Sequence, residues 1–375
     1  MNKSRQLFLL FTLTILAFVL SACASGSAMV QNWPGFTIDA ENQVGYISNG
    51  SHVYAINLQT GAEKWRYPNP AERNVLFSAP SVLTGDSQLV VGGTNNKVYS
   101  LDAASGQLNW TFSQAGNHFY ASGLSIGSKI LLPNIDHNLY ALDGSGVLAW
   151  KFKTGSALWS APVSDGKLVF QAGMDHFLYA LDPETGAVVW QSEDLGGSIS
   201  GTPVLSPDGV LYFGTYADEL LAVKATNGEI LWRTPVWGWV YASPLLHEGR
   251  LYVGNLKGVF YAIDAASGSV IWQAEPHAEK DPEISRQAAV VGNTVFFGVK
   301  AGVLYALDIE NGATRWNSLQ KPFGSENGKT TLGKLYAPVH TDGETIYLSL
   351  MGAQHLLVAI DANGELKWQP FVPAK

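Results

Sequence analysis

Leu178-Tyr179-Ala180-Leu181-Asp182-Pro183-Glu184-Thr185-Gly186-Ala187-Val188-Val189-Trp190 reads as an alternating apolar run, a polar turn and a second run. Asp182 is placed to accept hydrogen bonds from the turn backbone, and Gly186 can take the positive φ that a tight hairpin often requires. The stretch is therefore a β-hairpin. Its ending recurs along the chain: Trp65, Trp110, Trp150, Trp190, Trp232, Trp272, Trp316 and Trp368 each stand four residues after a glycine, at intervals of 45, 40, 40, 42, 40, 44 and 52 residues. A unit of that length repeated throughout means a repeat architecture, in which one small sheet stacks on its neighbours because it cannot bury its own faces.

The other copies run from Val53-Tyr54-Ala55-Ile56-Asn57 to Trp65, from Val98-Tyr99-Ser100-Leu101-Asp102 to Trp110, and from Leu139-Tyr140-Ala141-Leu142-Asp143 to Trp150. They return from Phe260-Tyr261-Ala262-Ile263-Asp264 to Trp272 and from Leu304-Tyr305-Ala306-Leu307-Asp308 to Trp316. The fifth copy departs, with Leu221 in the tyrosine slot and Lys224 in place of the aspartate, and the eighth has Val358 before Ala359-Ile360-Asp361. Upstream of each hairpin lie two further apolar runs, such as Ala161-Pro162-Val163 and Lys167 to Gln171, parted by Ser164-Asp165-Gly166. Proline at the start of the first run costs no ladder hydrogen bond. Four antiparallel strands per ~40 residues make a propeller blade. The expected fold is all-β, an eight-bladed β-propeller of four-stranded antiparallel blades; an open β-solenoid would need shorter rungs and parallel pairing.

The spacing of Ala180, Asp182, Gly186 and Trp190 resembles the tryptophan-docking motif of the PQQ-like propeller repeats, and the resemblance covers essentially the whole mature chain. It implies that the eight tryptophans are structural, each indole packing between adjacent blades. A buried indole removes roughly 150–250 Å² from water and needs a partner for its N–H.

The first residues are different in kind. Lys3 and Arg5 precede an apolar stretch of 14 residues, Leu7 to Leu20, followed by Ser21-Ala22-Cys23. The stretch is short for a hydrocarbon core of about 30 Å, and its basic, apolar, small-residue order is that of a secretory signal. Leu20-Ser21-Ala22-Cys23 also resembles the bacterial lipobox, in which Cys23 becomes the lipid-modified first residue of the mature protein. Cys23 is the sole cysteine of the 375 residues, so an exported chain forms no intramolecular disulfide. The expected organisation is a signal peptide over 1–22, a lipid-anchored tether over 23–31 and the propeller over 32–375.

Without residues 1–22 the chain carries 21 Lys and Arg against 31 Asp and Glu. That balance argues against nucleic acid or anionic lipid as partner, leaving membrane attachment to the lipid. The location implied is extracytoplasmic, facing the periplasm or the cell exterior.

For chemistry, the resemblance to PQQ-dependent dehydrogenases raises a quinone held with Ca²⁺ at the channel mouth. No local Asn, Asp or Glu string matches such a site, and the adjacent cysteine pair of the alcohol-oxidising members is absent. The eight histidines are scattered without metal-ligand spacing. Asp136-His137 and Asp175-His176 occupy one place in successive repeats, and repeated turn chemistry accounts for them more simply than a metal does. No phosphate-binding loop or nucleophile elbow occurs. The expectation is no enzyme, no cofactor and no metal, with a quinoprotein as the alternative.

A binding role is better supported. Loops leading from the outer strand of one blade to the inner strand of the next open on one face of a propeller. Here they are rich in aromatics: Trp33, Phe77, Phe119, Tyr120, Trp159, Trp237, Trp239, Tyr241 and Tyr336. These rings either plug the wide channel or form an exposed grip for a peptide, an extended strand or a glycan. Two of the loops are long and polar, Trp272 to Gln287 with His277, Lys280 and Arg286, and Trp316 to Ala337 with Lys321, Lys329 and Lys334. The chain is thus expected to be a monomeric, lipid-anchored scaffold with an envelope protein partner. It is most similar in length, lipobox and repeat type to the BamB-like lipoproteins of outer-membrane β-barrel assembly, with a surface peptide- or glycan-binding lipoprotein as the other possibility.

Overall fold

The computed structural model describes residues 35–72, 74–276, 281–320, 335, 337–351 and 355–374. Among them all regular structure is β, arranged in eight antiparallel sheets that follow one another along the chain. Seven are four-stranded with the strands in sequence order; the first comprises Gly35–Asp39, Val44–Asn49, His52–Asn57 and Glu63–Tyr67. The eighth pairs Val339–Thr341, Ile346–Ser349 and Leu357–Ile360. Its outer position is taken by the C-terminal segment, which bridges Leu366 to Ile360 and Phe371 to Leu357. The chain is an eight-bladed β-propeller, and the blades are numbered here in chain order.

Burial follows from each strand's place in its blade. Leu178–Leu181, third strand of blade four, is buried at every position because it meets a neighbouring blade on both faces. Leu148–Lys153, an outermost strand, alternates between half-buried and exposed residues, as a strand with one free face does. In blades one to seven the motif alanine, or Ser100, lies directly across from the tryptophan, as with Ala180 and Trp190, and the register slips just beyond it. A small residue opposite the indole leaves room for the ring to lie against the next blade.

Each indole then bonds forward. The Nε1–H groups of Trp65, Trp110, Trp150 and Trp190 donate to the carbonyls of Ala103, Gly144, Pro183 and Ala225 in the next hairpin turn, at 2.9–3.1 Å. Trp232, Trp272 and Trp316 do the same to Ala265, Ile309 and Ala362. The turn glycine has two reasons to be glycine. Gly312 holds φ at 73°, and a Cβ there would lie 2.6 Å from the ring of Trp272.

Trp368 of blade eight donates to the carbonyl of Leu58 in blade one at 2.9 Å, so the rule that joins consecutive blades also joins the last to the first. Phe36, Ile47, Tyr54 and Ile56 form one apolar cluster there with Tyr347, Leu357 and Phe371. Seven further clusters fill the other seven blade interfaces. Among the described residues the ring closes by packing, with no strand exchanged between the two ends. Signal, tether and lipid-site expectations, Cys23 among them, and Trp33 fall outside the described residues. So do Tyr336, His277, Lys280, Lys321, Lys329 and Lys334.

Candidate binding face and central channel

The repeated Asp-His turns are structural. The Asp136 carboxylate accepts the Tyr140 hydroxyl at 2.6 Å and the Gly116 N–H at 2.7 Å; Asp175 accepts Tyr179 and the Gly155 N–H at 2.8 and 2.7 Å. His137 and His176 follow in the left-handed region, at φ 73° and 75°. Each aspartate thus satisfies the motif tyrosine and pins the loop entering its own blade. Backbone bonds add to this: Met174 N–H to Ala157 O, Tyr216 N–H to Ser198 O and Leu256 N–H to Trp239 O, at 3.0–3.2 Å. Loops tied at both strand ends and at their middle form a preorganised face.

The innermost strands surround a central cavity of about 460 Å³, to which all eight blades contribute. Hydroxyls join neighbouring inner strands around it: the Ala161 N–H donates to Thr202 Oγ1, the Thr202 N–H to Ser243 Oγ, and Thr37 Oγ1 to the Ser81 carbonyl, at 2.7–3.0 Å. The aromatic residues singled out in the loops take different surroundings. Tyr120 stacks on Trp159, centroids 5.8 Å apart at 25°, and both line the cavity. Trp239 stacks on Tyr216 at 5.1 Å and 3°, Tyr216 on Tyr241 at 6.2 Å, and the Arg286 guanidinium lies 5.3 Å from the Tyr241 ring centre. Trp237 and Trp239 stand out in water, 71% and 53% exposed.

Phe77 corrects the expectation of a binding ring. It is fully buried between blades one and two, bridging Gly50 on one side and Gly93 on the other and meeting Tyr99 edge-on at 5.5 Å. Phe119 is buried likewise over Gly92. The loop residue five before the inner strand becomes core, as Phe77 is before Val82, Phe119 before Leu124 and Val240 before Leu245, whereas the aromatics one residue later, Tyr120, Trp159 and Tyr241, line the cavity. Tyr216 was missed for the opposite reason. It lies in the turn between the second and third strands, five residues before the motif tyrosine slot, where neighbouring blades carry Met174 and Leu256; an aromatic at that repeat position was the available signal.

His340 also went unnoticed. Its Nε2 is buried without a partner although the residue keeps some exposure elsewhere, its ring meets Phe36 edge-on at 5.2 Å, and burial pushes its pKa down to about 4. A histidine whose folded pKa lies below its unfolded value leaves stability intact above pH ~6.5 and removes it as pH falls towards 4, by about 3 kcal/mol in full. Between pH 7 and 5 the native chain is expected to lose about 2 kcal/mol more than His340→Gln, as urea titrations at the two pH values would measure; equal losses would place His340 outside the acid response.

The described residues of this lining offer a calcium-quinone site no carboxylate. Among the described residues lining the cavity there is no aspartate or glutamate; the oxygens offered are hydroxyls, carbonyls and the Gln287 amide. A hard divalent cation takes carboxylates by preference.

Comparison with known proteins agrees with this architecture. The family described as Outer membrane protein assembly factor BamB matches residues 34–174 and 174–374. The Outer membrane protein assembly factor BamB of Yersinia pestis is 25% identical over 226 residues, 54% of this chain and 56% of that protein, so the match spans little more than half of the curated relative. The crystal structure of BamB from Moraxella catarrhalis superposes with a TM-score of 0.69 at 18% identity, covering 89% of this chain and 95% of that one. The computationally designed Ika8 protein reaches 0.71 at 13% identity, covering 88% and 96%. At such identities the two structures speak for the fold alone.

Proposed function

Because this chain belongs to the family described as outer membrane protein assembly factor BamB, we propose that it is a non-enzymatic scaffold of the cell envelope. It binds a partner of the outer-membrane protein assembly apparatus through the face that carries Trp237 and Trp239. The observation that carries this reading is the exposure of those two rings. The docking tryptophans are all engaged between blades, whereas Trp237 and Trp239 leave large apolar surfaces in water on a loop fixed to the Leu256 turn. Trp anchors on rigid supports are the usual energetic centres of protein interfaces.

The anchor belongs to the same proposal. Cys23 carries lipid and holds the propeller at the membrane facing the periplasm, and the poor fit of the channel to calcium supports a role without a quinone. One purification tests these statements together. Tagged chain solubilised from envelope membranes is expected to recover a β-barrel assembly partner, and Trp237→Ala with Trp239→Ala to reduce that recovery about tenfold or more. Cys23→Ser should abolish lipid mass on the N-terminal peptide and release the chain from membranes. Undiminished recovery by the double variant, or dye-linked oxidation on addition of PQQ and Ca²⁺, would overturn the reading.

A further inference from the structure

Loops entering successive blades are tied to the neighbouring turn at the same two points, so their residues match one for one. In the loop entering blade four the Thr154 N–H bonds His137 O and the Leu158 N–H bonds Asn134 O; entering blade five, the Leu195 N–H bonds His176 O and the Ile199 N–H bonds Gly173 O. The residue just after the first tie is Gly155 in one loop and Gly196, at φ 82°, in the other. Entering blade six the ties run from the Val236 N–H to Asp218 O and from the Val240 N–H to Thr215 O, and the residue after the first is Trp237, held at φ 50°. Three residues before the buried Phe77 and Ile284 the same position carries Asn74 and Asp281, also left-handed at φ 65° and 52°. Glycine, asparagine and aspartate accept this conformation readily, whereas a bulky aromatic is strained in it. Trp237 is the exception to its own repeat, and with 71% of it exposed it draws little packing from the fold in return. Strain kept at a residue the core does not use is a mark of function.

Building on the scaffold reading above, we propose that Trp237 is a preformed anchor, a single indole that inserts into an apolar pocket of a folded partner, with Trp239 as a flat shelf beside it. The base of the anchor is rigid. The Val236 carbonyl accepts Asn255 Nδ2 at 2.6 Å and the Tyr261 hydroxyl at 2.8 Å, while its N–H is held by Asp218. Gly238 lies so close to the next turn that a Cβ there would stand 2.9 Å from Asn255 Nδ2. Insertion then has little to freeze beyond the two torsions of the ring, which keeps its entropic cost low. An indole standing off a tied loop buries both of its faces only in a concavity, and fully desolvated pockets are where tryptophan contributes most. Trp239 already has one face against Tyr216, 5.1 Å away and nearly parallel, and offers the other. Recognition by strand addition is poorly served, because the backbone groups of the loop at Val236, Trp239 and Val240 are already bonded.

Two substitutions at one position separate strain from binding. At an ordinary exposed position glycine is less stable than alanine, and at a left-handed one the order reverses. Full-length Trp237→Gly in detergent is therefore expected to melt about 1–3 °C above Trp237→Ala. Both should recover the assembly partner from envelope membranes about tenfold or more less well than the native chain, whereas Trp239→Ala, which keeps the anchor, should lose about threefold or less. p-Benzoylphenylalanine in place of Trp237, irradiated in intact envelopes, should crosslink to one cluster of apolar residues within a single folded domain. Trp237→Gly melting below Trp237→Ala, recovery by Trp237→Gly within about threefold of native, or crosslinks to lipid or scattered along an extended segment would each overturn the proposal. If Trp237→Gly binds like the native chain while the double Trp237→Ala, Trp239→Ala variant does not, the anchor fails and the scaffold reading stands; full binding by the double variant removes both.

Discussion

A chain ending before Leu366 is expected to lose about 6–10 kcal/mol of stability and with it most or all of its cooperative unfolding transition. The segment removed is short, but it holds the ring shut. It takes away the Trp368 bond to the Leu58 carbonyl, the Phe371 contact with Tyr54 at 5.8 Å, and the bridges that give blade eight its outer position. Two large aromatic anchors at roughly 3–5 kcal/mol each amount to as much as a domain's entire net stability. The informative companion is Trp368→Ala beside Trp65→Ala, both half-buried and both bonded to the following turn. In an open stack the terminal residue costs less than the internal one, because an end unit has one neighbour. In a closed ring the two losses should agree within about 1 kcal/mol by urea denaturation. A truncated chain that melts with the full-length one would disprove closure by the C-terminal segment.

Trp272→Ala should cost about 3–5 kcal/mol, the upper range for a buried aromatic. Its ring is almost wholly buried, lies against Phe260 and Tyr252 at 6.2 and 6.0 Å, rests on Gly312, and donates to Ile309 O. Removing it leaves a cavity between blades six and seven and takes from the Ile309 carbonyl its shortest bond, leaving the longer ones from Arg250 and Tyr252, and no neighbour is free to collapse because both sheets are fixed in the ring. Trp272→Phe should recover the packing share but not the hydrogen bond, returning about half of the loss. A Trp272→Ala chain within about 1 kcal/mol of the native one by denaturant titration would mean that the indole is incidental to the interface.

The hairpins, the blade count and the reasons for the turn aspartate and glycine were readable from the chain because they rest on interactions within about a dozen residues, whereas the forward bonds of the indoles in blades one to seven span 33 to 46 residues. Asp182 bonds the N–H groups of Glu184 and Thr185, Gly186 takes its positive φ, and Ala180 faces Trp190 across one strand pair. Even the imperfect fifth copy keeps its turn, with Asn227 capping Glu229 and an ion pair from Lys224 to Glu229 standing where the aspartate would. The loops were legible only as aromatic. Phe77 and Trp237 both lie in a loop entering a blade, yet one is core and the other is in water: the Phe77 N–H bonds back to the Gly50 carbonyl, as that of Val240, three residues after Trp237, does to Thr215.

Short-range turn chemistry and a fixed repeat length therefore made this chain a propeller of eight blades before any contact between blades was considered. Which aromatics meet across blades three and four or five and six, that Arg286 lines the central cavity, that His340 is stranded beside Phe36, and that the C-terminal segment completes blade eight were decided by the closed ring alone. Those contacts join residues separated by tens to hundreds of positions, as Trp368 and Leu58 are, and their geometry exists only once every blade interface is packed and the circle is complete.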